Sequence, residues 1–145
     1  MRDKYFIDTN ILVYANDSSD QSKQQRAKKI ILDGIREECI AVSTQVLSEF
    51  YVTVTRKIKV TLSPEAAKNE IQLLRNIDIV DIDFELIIHA MDLSGKFRLS
   101  FWDSLIIAAA IKSRSAILYS EDLSHSQAVE TVKIINPFFT SPKPV

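Results

Sequence analysis

Tyr5-Phe6-Ile7-Asp8-Thr9-Asn10-Ile11-Leu12-Val13-Tyr14-Ala15 is the stretch on which the fold turns. Its first three residues make an apolar run of buried-strand length. Asp8-Thr9-Asn10 interrupt it with turn and cap residues, and Ile11 to Ala15 start a helix, with Thr9 or Asn10 as the expected cap. A short buried strand passing directly into a helix is the unit from which α/β folds are built.

The same alternation continues outward. Asp20 to Glu38 carries Ala27, Ile30, Ile31 and Ile35 at helical spacing with Lys and Arg opposite. Ile40 to Val42 reads as a second strand, and Ser43 or Thr44 caps a helix expected to reach about Lys59. Ser63-Pro64-Glu65 is a helix start with cap, proline and acid in order. Asp78 to Asp83 alternates in the manner of a strand near a sheet edge. Glu85 to Lys96 and Trp102 to Arg114 read as helices, the second apolar on nearly every side and therefore central. Ala116 to Tyr119 and Val132 to Ile135 supply the last strands. The pattern predicts an α/β fold, an α/β/α sandwich around a short, mostly parallel sheet. Residues 1–145 form one domain, with 137–145 expected as a surface tail.

Four acids stand against apolar sequence: Asp8 after the first strand, Glu49 between Val46 and Val52, Asp103 after Phe101-Trp102, and Asp122 after the fourth strand. A carboxylate buried among apolar groups costs on the order of several kcal/mol unless it is paired or bound to a metal. Asp8 and Asp122 fall at strand carboxyl ends, where open α/β sheets bind ligands. If the four converge, their repulsion demands a cation, and a metal-dependent active site is the expected reading.

Composition limits the alternatives. The chain has 145 residues, 46% hydrophobic and 26% charged, with net charge −1. That suits one globular domain and excludes a nucleic-acid coat protein held by a global positive field. Cys39 is the only cysteine and reads as a small core residue. His89 and His125 sit in no catalytic motif. No apolar stretch approaches the length of a membrane span and the N-terminus lacks a signal-peptide core, so a cytoplasmic protein is expected, with no membrane association.

The four acidic segments together resemble a known family. Asp8-Thr9-Asn10-Ile11-Leu12-Val13-Tyr14-Ala15, Leu47-Ser48-Glu49-Phe50-Tyr51-Val52, the segment Phe101 to Ala110 and Leu118-Tyr119-Ser120-Glu121-Asp122-Leu123 are similar, in that order, to the motifs of PIN-domain ribonucleases. Within that family the resemblance is to the VapC-type toxins of toxin–antitoxin pairs. The resemblance implies endonucleolytic cleavage of RNA, dependence on Mg²⁺ or Mn²⁺, homodimerisation and a cognate antitoxin. It implies that Asp8, Glu49, Asp103 and Asp122 are the catalytic, metal-binding quartet, with Asn10 and Ser120 supporting it. Glu121 competes with Asp122 for the last place, and Asp122 holds the motif's position before Leu123. Oxygen ligands without a His or Cys cluster suit Mg²⁺ or Mn²⁺ better than zinc.

Arg56, Lys57 and Lys59 are candidate contacts to RNA phosphates, as are Lys112 and Arg114. Two other nuclease-fold roles stand beside the toxin reading: a PIN nuclease of RNA processing and a catalytically silent RNA- or protein-binding member. A phosphoacceptor domain is disfavoured, because Asp8 has no adjacent acid and Lys133 lies inside the last strand.

Overall fold

The computed structural model describes residues 3–139. Along the chain run β1 (Tyr5–Ile7), α1 (Thr9–Ala15), α2 (Gln21–Arg36), β2 (Ile40–Ser43), α3 (Thr44–Arg56), α4 (Pro64–Gln72), β3 (Asp78–Val80), α5 (Phe84–Phe97), α6 (Phe101–Lys112), β4 (Ile117–Tyr119), β5 (Ala128–Val129) and β6 (Val132–Ile135). The strands form one sheet in the order β3-β2-β1-β4-β6-β5, parallel except for β5. The expected mostly parallel α/β architecture is present.

Local sequence explains the helix starts. Ser43, Ser63, Asp83 and Ser100 each have an extended backbone and accept a hydrogen bond from an N–H in the first turn of the helix that follows. Asp8 caps α1 itself, displacing the expected Thr9 or Asn10. Its backbone is still extended (φ −73, ψ 165), and its carboxylate takes the Thr9 N–H, so the helix begins one residue earlier. The strand expected over Asp78 to Asp83 stops at Val80, because Asp83 leaves the sheet to cap α5.

Core packing follows the apolar runs. Phe6, Ile7, Val42 and Leu118 from the sheet, Phe50 from α3 and Ile107 from α6 are buried completely or nearly so. Gly34 is a close-approach residue: a Cβ there would lie 2.6 Å from both Ile40 Cβ and the Tyr5 hydroxyl. Its side of α2 therefore presses directly on β1 and β2.

Topology places the ligand edge. From β1 the chain steps outward through β2 to β3, then returns to the other side of β1 with β4. Helices α1 to α4 pack as one group and α5 with α6 as another. Right-handed crossovers put these groups on opposite faces and leave a switch point between the carboxyl ends of β1 and β4. The expected surface tail starts packed: Phe138 meets Tyr14 edge-on at 5.2 Å and Phe139 stacks on His125 at 4.2 Å. Residues 140–145 of that tail lie outside the described residues.

Candidate active site

Asp8 and Ser120 leave the adjacent strands β1 and β4 at the switch point. The Asp8 N–H donates to the Tyr119 carbonyl at 2.9 Å, which extends the β1–β4 pairing to the end of the strands. The Ser120 hydroxyl donates to Asp8 Oδ2 at 2.7 Å, and the Thr9 N–H donates to Oδ1 at 2.7 Å. Both bonds favour the charged carboxylate. Burial outweighs them, and with the nearby charges of Asp122 and Glu49 it pushes the Asp8 pKa up to about 6.

Glu49 approaches from α3. Its Oε2 accepts from the Thr9 hydroxyl at 2.7 Å, and its Oε1 accepts from Gln45 Nε2 at 2.9 Å. The same Gln45 nitrogen lies 3.4 Å from the Trp102 carbonyl, one residue before Asp103. A side chain on α3 therefore touches both the Glu49 carboxylate and the backbone that presents Asp103. Asp103 occupies the first turn of α6, its N–H held by the Ser100 cap at 3.1 Å.

Asn10 joins α1 to the loop after β4. Its Nδ2 donates to Asp122 Oδ2 at 3.1 Å, and its Oδ1 accepts the Glu121 N–H at 3.2 Å. The two neighbouring acids have separate surroundings. Glu121 accepts from the Tyr14 hydroxyl and from Lys23 Nζ, each at 2.6 Å; burial and then the bond to Glu121 push the Tyr14 pKa up, and the bond to Glu121 raises that of Lys23. Asp122 has its hydrogen bond from Asn10 and contributes to the field at Asp8.

Asp8, Asn10, Glu49, Asp103 and Asp122 line one open cleft of about 780 Å³, with Lys57, Trp102 and Glu121 also in its wall. The expected degree of burial does not hold for all four acids. Asp8 is buried, Glu49 and Asp103 are half-buried, and Asp122 is exposed. Val52, read as an inward neighbour of Glu49, is 43% exposed. Among the described residues, no group of three or more Asp, Glu, His or Cys side chains forms a finished metal cage. The donor chemistry nonetheless fits a hard cation. Asp8 is flanked by other carboxylates at a point where ionisation is disfavoured, and every acid of the quartet offers oxygen alone.

Of the basic candidates, Lys57 lines the cleft, while Arg56 and Lys59 are exposed but do not line it. Lys112 pairs with Asp83 at 2.7 Å in a surface ion pair. His89 meets Glu130, and His125 accepts the Asn136 N–H. Sequence reading passed over Thr9 as a carboxylate partner, and it passed over Gln45, Trp102 and the Tyr14–Lys23 pair. Only Gln45 left a signal, one helical turn before Glu49.

Among solved structures, the chain is similar to VapC20 of Mycobacterium tuberculosis, a sarcin–ricin loop cleaving toxin. The TM-score is 0.66 at 19% identity, covering 82% of this chain and 90% of that one. A toxin–antitoxin complex from Klebsiella pneumoniae gives 0.66 at 19% identity, covering 93% and 98%. VapBC2 of Rickettsia felis, bound to a DNA fragment from its promoter, gives 0.64 at 20% identity, covering 90% and 96%. At these identities the likeness establishes the fold. No curated protein matches the chain. Residues 5–130 match the PIN domain, and that span carries β1, the switch point and all four acids; the chain belongs to the PIN domain family.

Proposed function

We propose that this chain is a divalent-metal-dependent endoribonuclease and the toxin of a toxin–antitoxin pair. The observation that carries the reading is Asp8: a buried carboxylate, its pKa raised to about 6 beside Asp122 and Glu49, in the same cleft as Asp103. Structural acids are not arranged to destabilise one another, whereas reactive sites often hold perturbed groups in clefts. Membership of the PIN family and the likeness to a toxin that cleaves the sarcin–ricin loop support RNA as substrate.

Asp8, Glu49, Asp103 and Asp122 would hold Mg²⁺ or Mn²⁺. Such an ion, when bound, lowers the pKa of a coordinated water and neutralises charge on a phosphodiester. The chain's own groups prepare the place. Ser120 and the Thr9 N–H orient Asp8, Thr9 and Gln45 orient Glu49, and Asn10 orients Asp122. Lys57 offers the cleft a positive charge for the RNA backbone. Glu121, held by Lys23 and Tyr14, serves the architecture of the loop rather than the metal.

An antitoxin and a second subunit belong to the same proposal, supported by the likeness to the two complexes above. The molecule has apolar surface to offer them. Leu32 and Leu73 edge a groove of about 430 Å³ between α2 and α4, and Phe84, Ile87, Ile88 and Met91 are exposed along α5. The deciding experiment is cleavage of RNA with Mg²⁺, with EDTA, and with Asp8→Asn or Asp103→Asn. Activity that survives chelation rejects the metal dependence, activity that survives either substitution rejects this site, and no cleavage by the wild type with Mg²⁺ or Mn²⁺ rejects the nuclease reading. The toxin reading requires growth arrest on expression, relieved by the protein of an adjacent small gene.

A further inference from the structure

The chain's single tryptophan is poorly placed for a core residue. Trp102 is 64% exposed, although its neighbours along α6, Ser104 to Ala110, are all buried. Large aromatic side chains normally bury most of their surface, so an exposed one beside a concave site is informative. Trp102 lines the acidic cleft together with Asp103. It also lines a second concavity of about 610 Å³, formed with Thr44, Ile82 and Leu105, and so stands on the ridge between the two.

The residue is supported rather than loose. Phe101 meets the indole edge-on, with ring centroids 5.2 Å apart. Gln45 approaches its carbonyl at 3.4 Å while holding Glu49. The backbone that carries the ring is thus tied to two of the acids: to Asp103 as its next residue and to Glu49 through Gln45. Lys57 is also in the cleft wall. An aromatic face, a cation and a row of acids in one open cleft match a polyanion whose strand carries flat, apolar bases.

We infer that Trp102 is the stacking platform for an unpaired nucleobase next to the scissile phosphate. The inference rests on the ribonuclease reading and deepens it by naming the residue that holds a base of the substrate. An A-form duplex keeps its base faces inside the helix, so only a splayed base can cover the indole. Stacking accepts any base, and Trp102 therefore holds a base without reading its sequence.

Because Trp102 is the only tryptophan, its fluorescence reports on this position alone. Asp8→Asn protein in Mg²⁺ is titrated with a random pool of single-stranded RNA octamers and with an octamer annealed to its complement. The single strands are expected to quench the emission saturably, and the duplex to do so far more weakly. On the Asp8 wild-type background, Trp102→Ala is expected to raise KM about tenfold with kcat little changed, as loss of one stacked base implies. Trp102→Phe is expected to recover most of that loss. Unchanged melting temperatures show that the substitutions act on binding and not on folding.

Cleavage by Trp102→Ala with wild-type KM, or equal quenching by duplex, overturns the inference while leaving the nuclease reading intact. Saturable quenching by single strands in a protein that never cleaves RNA would have the opposite effect, keeping the platform and removing the enzyme. If Trp102→Ala binds RNA normally but loses affinity for an inhibitory partner protein, the residue is a protein-docking anchor and the inference fails.

Discussion

The Thr9 hydroxyl donates to Glu49 Oε2 across 2.7 Å, binding the first turn of α1 to the middle of α3. Gln45 holds the other oxygen of the same carboxylate. Glu49 is thus oriented by two neutral donors that leave its charge intact. Thr9→Val and Gln45→Leu each remove one of them. Each is expected to lower kcat or Mn²⁺ affinity about 10- to 100-fold, the usual scale for groups that orient metal ligands. Steady-state cleavage and calorimetric Mn²⁺ titration measure both quantities. Wild-type values for Gln45→Leu would remove that residue from the account.

The raised pKa of Asp8 has a definite consequence for stability. The native carboxyl titrates near 6 against an ordinary 3.8. Between those values the folded state binds the extra proton, so stability of the metal-free protein falls as pH rises through the window. The full cost, on the order of 3 kcal/mol, is present above about pH 6 and absent below about pH 4. Asp8→Asn should therefore raise the denaturant midpoint in EDTA at pH 8 and leave it unchanged near pH 3.5, even as it abolishes cleavage. Proton competition should also weaken Mn²⁺ binding by about tenfold per pH unit below 6. Equal midpoints at pH 8 would contradict the assignment.

Neighbouring acids in the loop after β4 should separate in their effects. Asp122→Asn is expected to lower activity about 10- to 100-fold, as for a metal-site group. Glu121→Gln breaks a partly exposed ion pair with Lys23, worth less than about 1 kcal/mol, and should leave kcat close to wild type. Kinetics of the two variants under identical metal concentrations decide between them. The reverse order of effects would exchange their roles.

Gly34 tests the packing independently of the chemistry. An alanine there places its Cβ 2.6 Å from Ile40 Cβ and the Tyr5 hydroxyl, too close for either to remain in place. Gly34→Ala is expected to cost about 1–3 kcal/mol by overpacking. Urea unfolding should show the loss with unchanged slope, and the remaining folded protein should keep normal kcat.

Much of the architecture was legible because parallel strands buried on both faces read as continuous apolar runs. Tyr5–Ile7, Ile40–Ser43 and Ile117–Tyr119 are such runs. Ala128–Val129 is too short to carry a period, and left-handed Ser126 and Glu130 bracket it, so no pattern announces that strand. The four acids were legible for a related reason: each interrupts apolar sequence at an element boundary or on an inner face. Their surroundings were not. Lys23 and Glu121 meet across 98 positions, and no local spacing encodes such a pair. Trp102 looked like core because it opens an apolar helix, and only the packing of α6 shows that it turns outward.

The hydrogen bond from Asn10 to Asp122 joins positions 112 residues apart, and it marks when the acidic cleft can first close during synthesis. A ribosome that has released α1 to α5 has released a chain with Asp8 and Glu49 but neither of the remaining acids. The strand that closes the switch point, β4, arrives after α6, the last helix among the described residues. Nascent fragments therefore lack the complete cleft, which closes only once translation has passed Asp122.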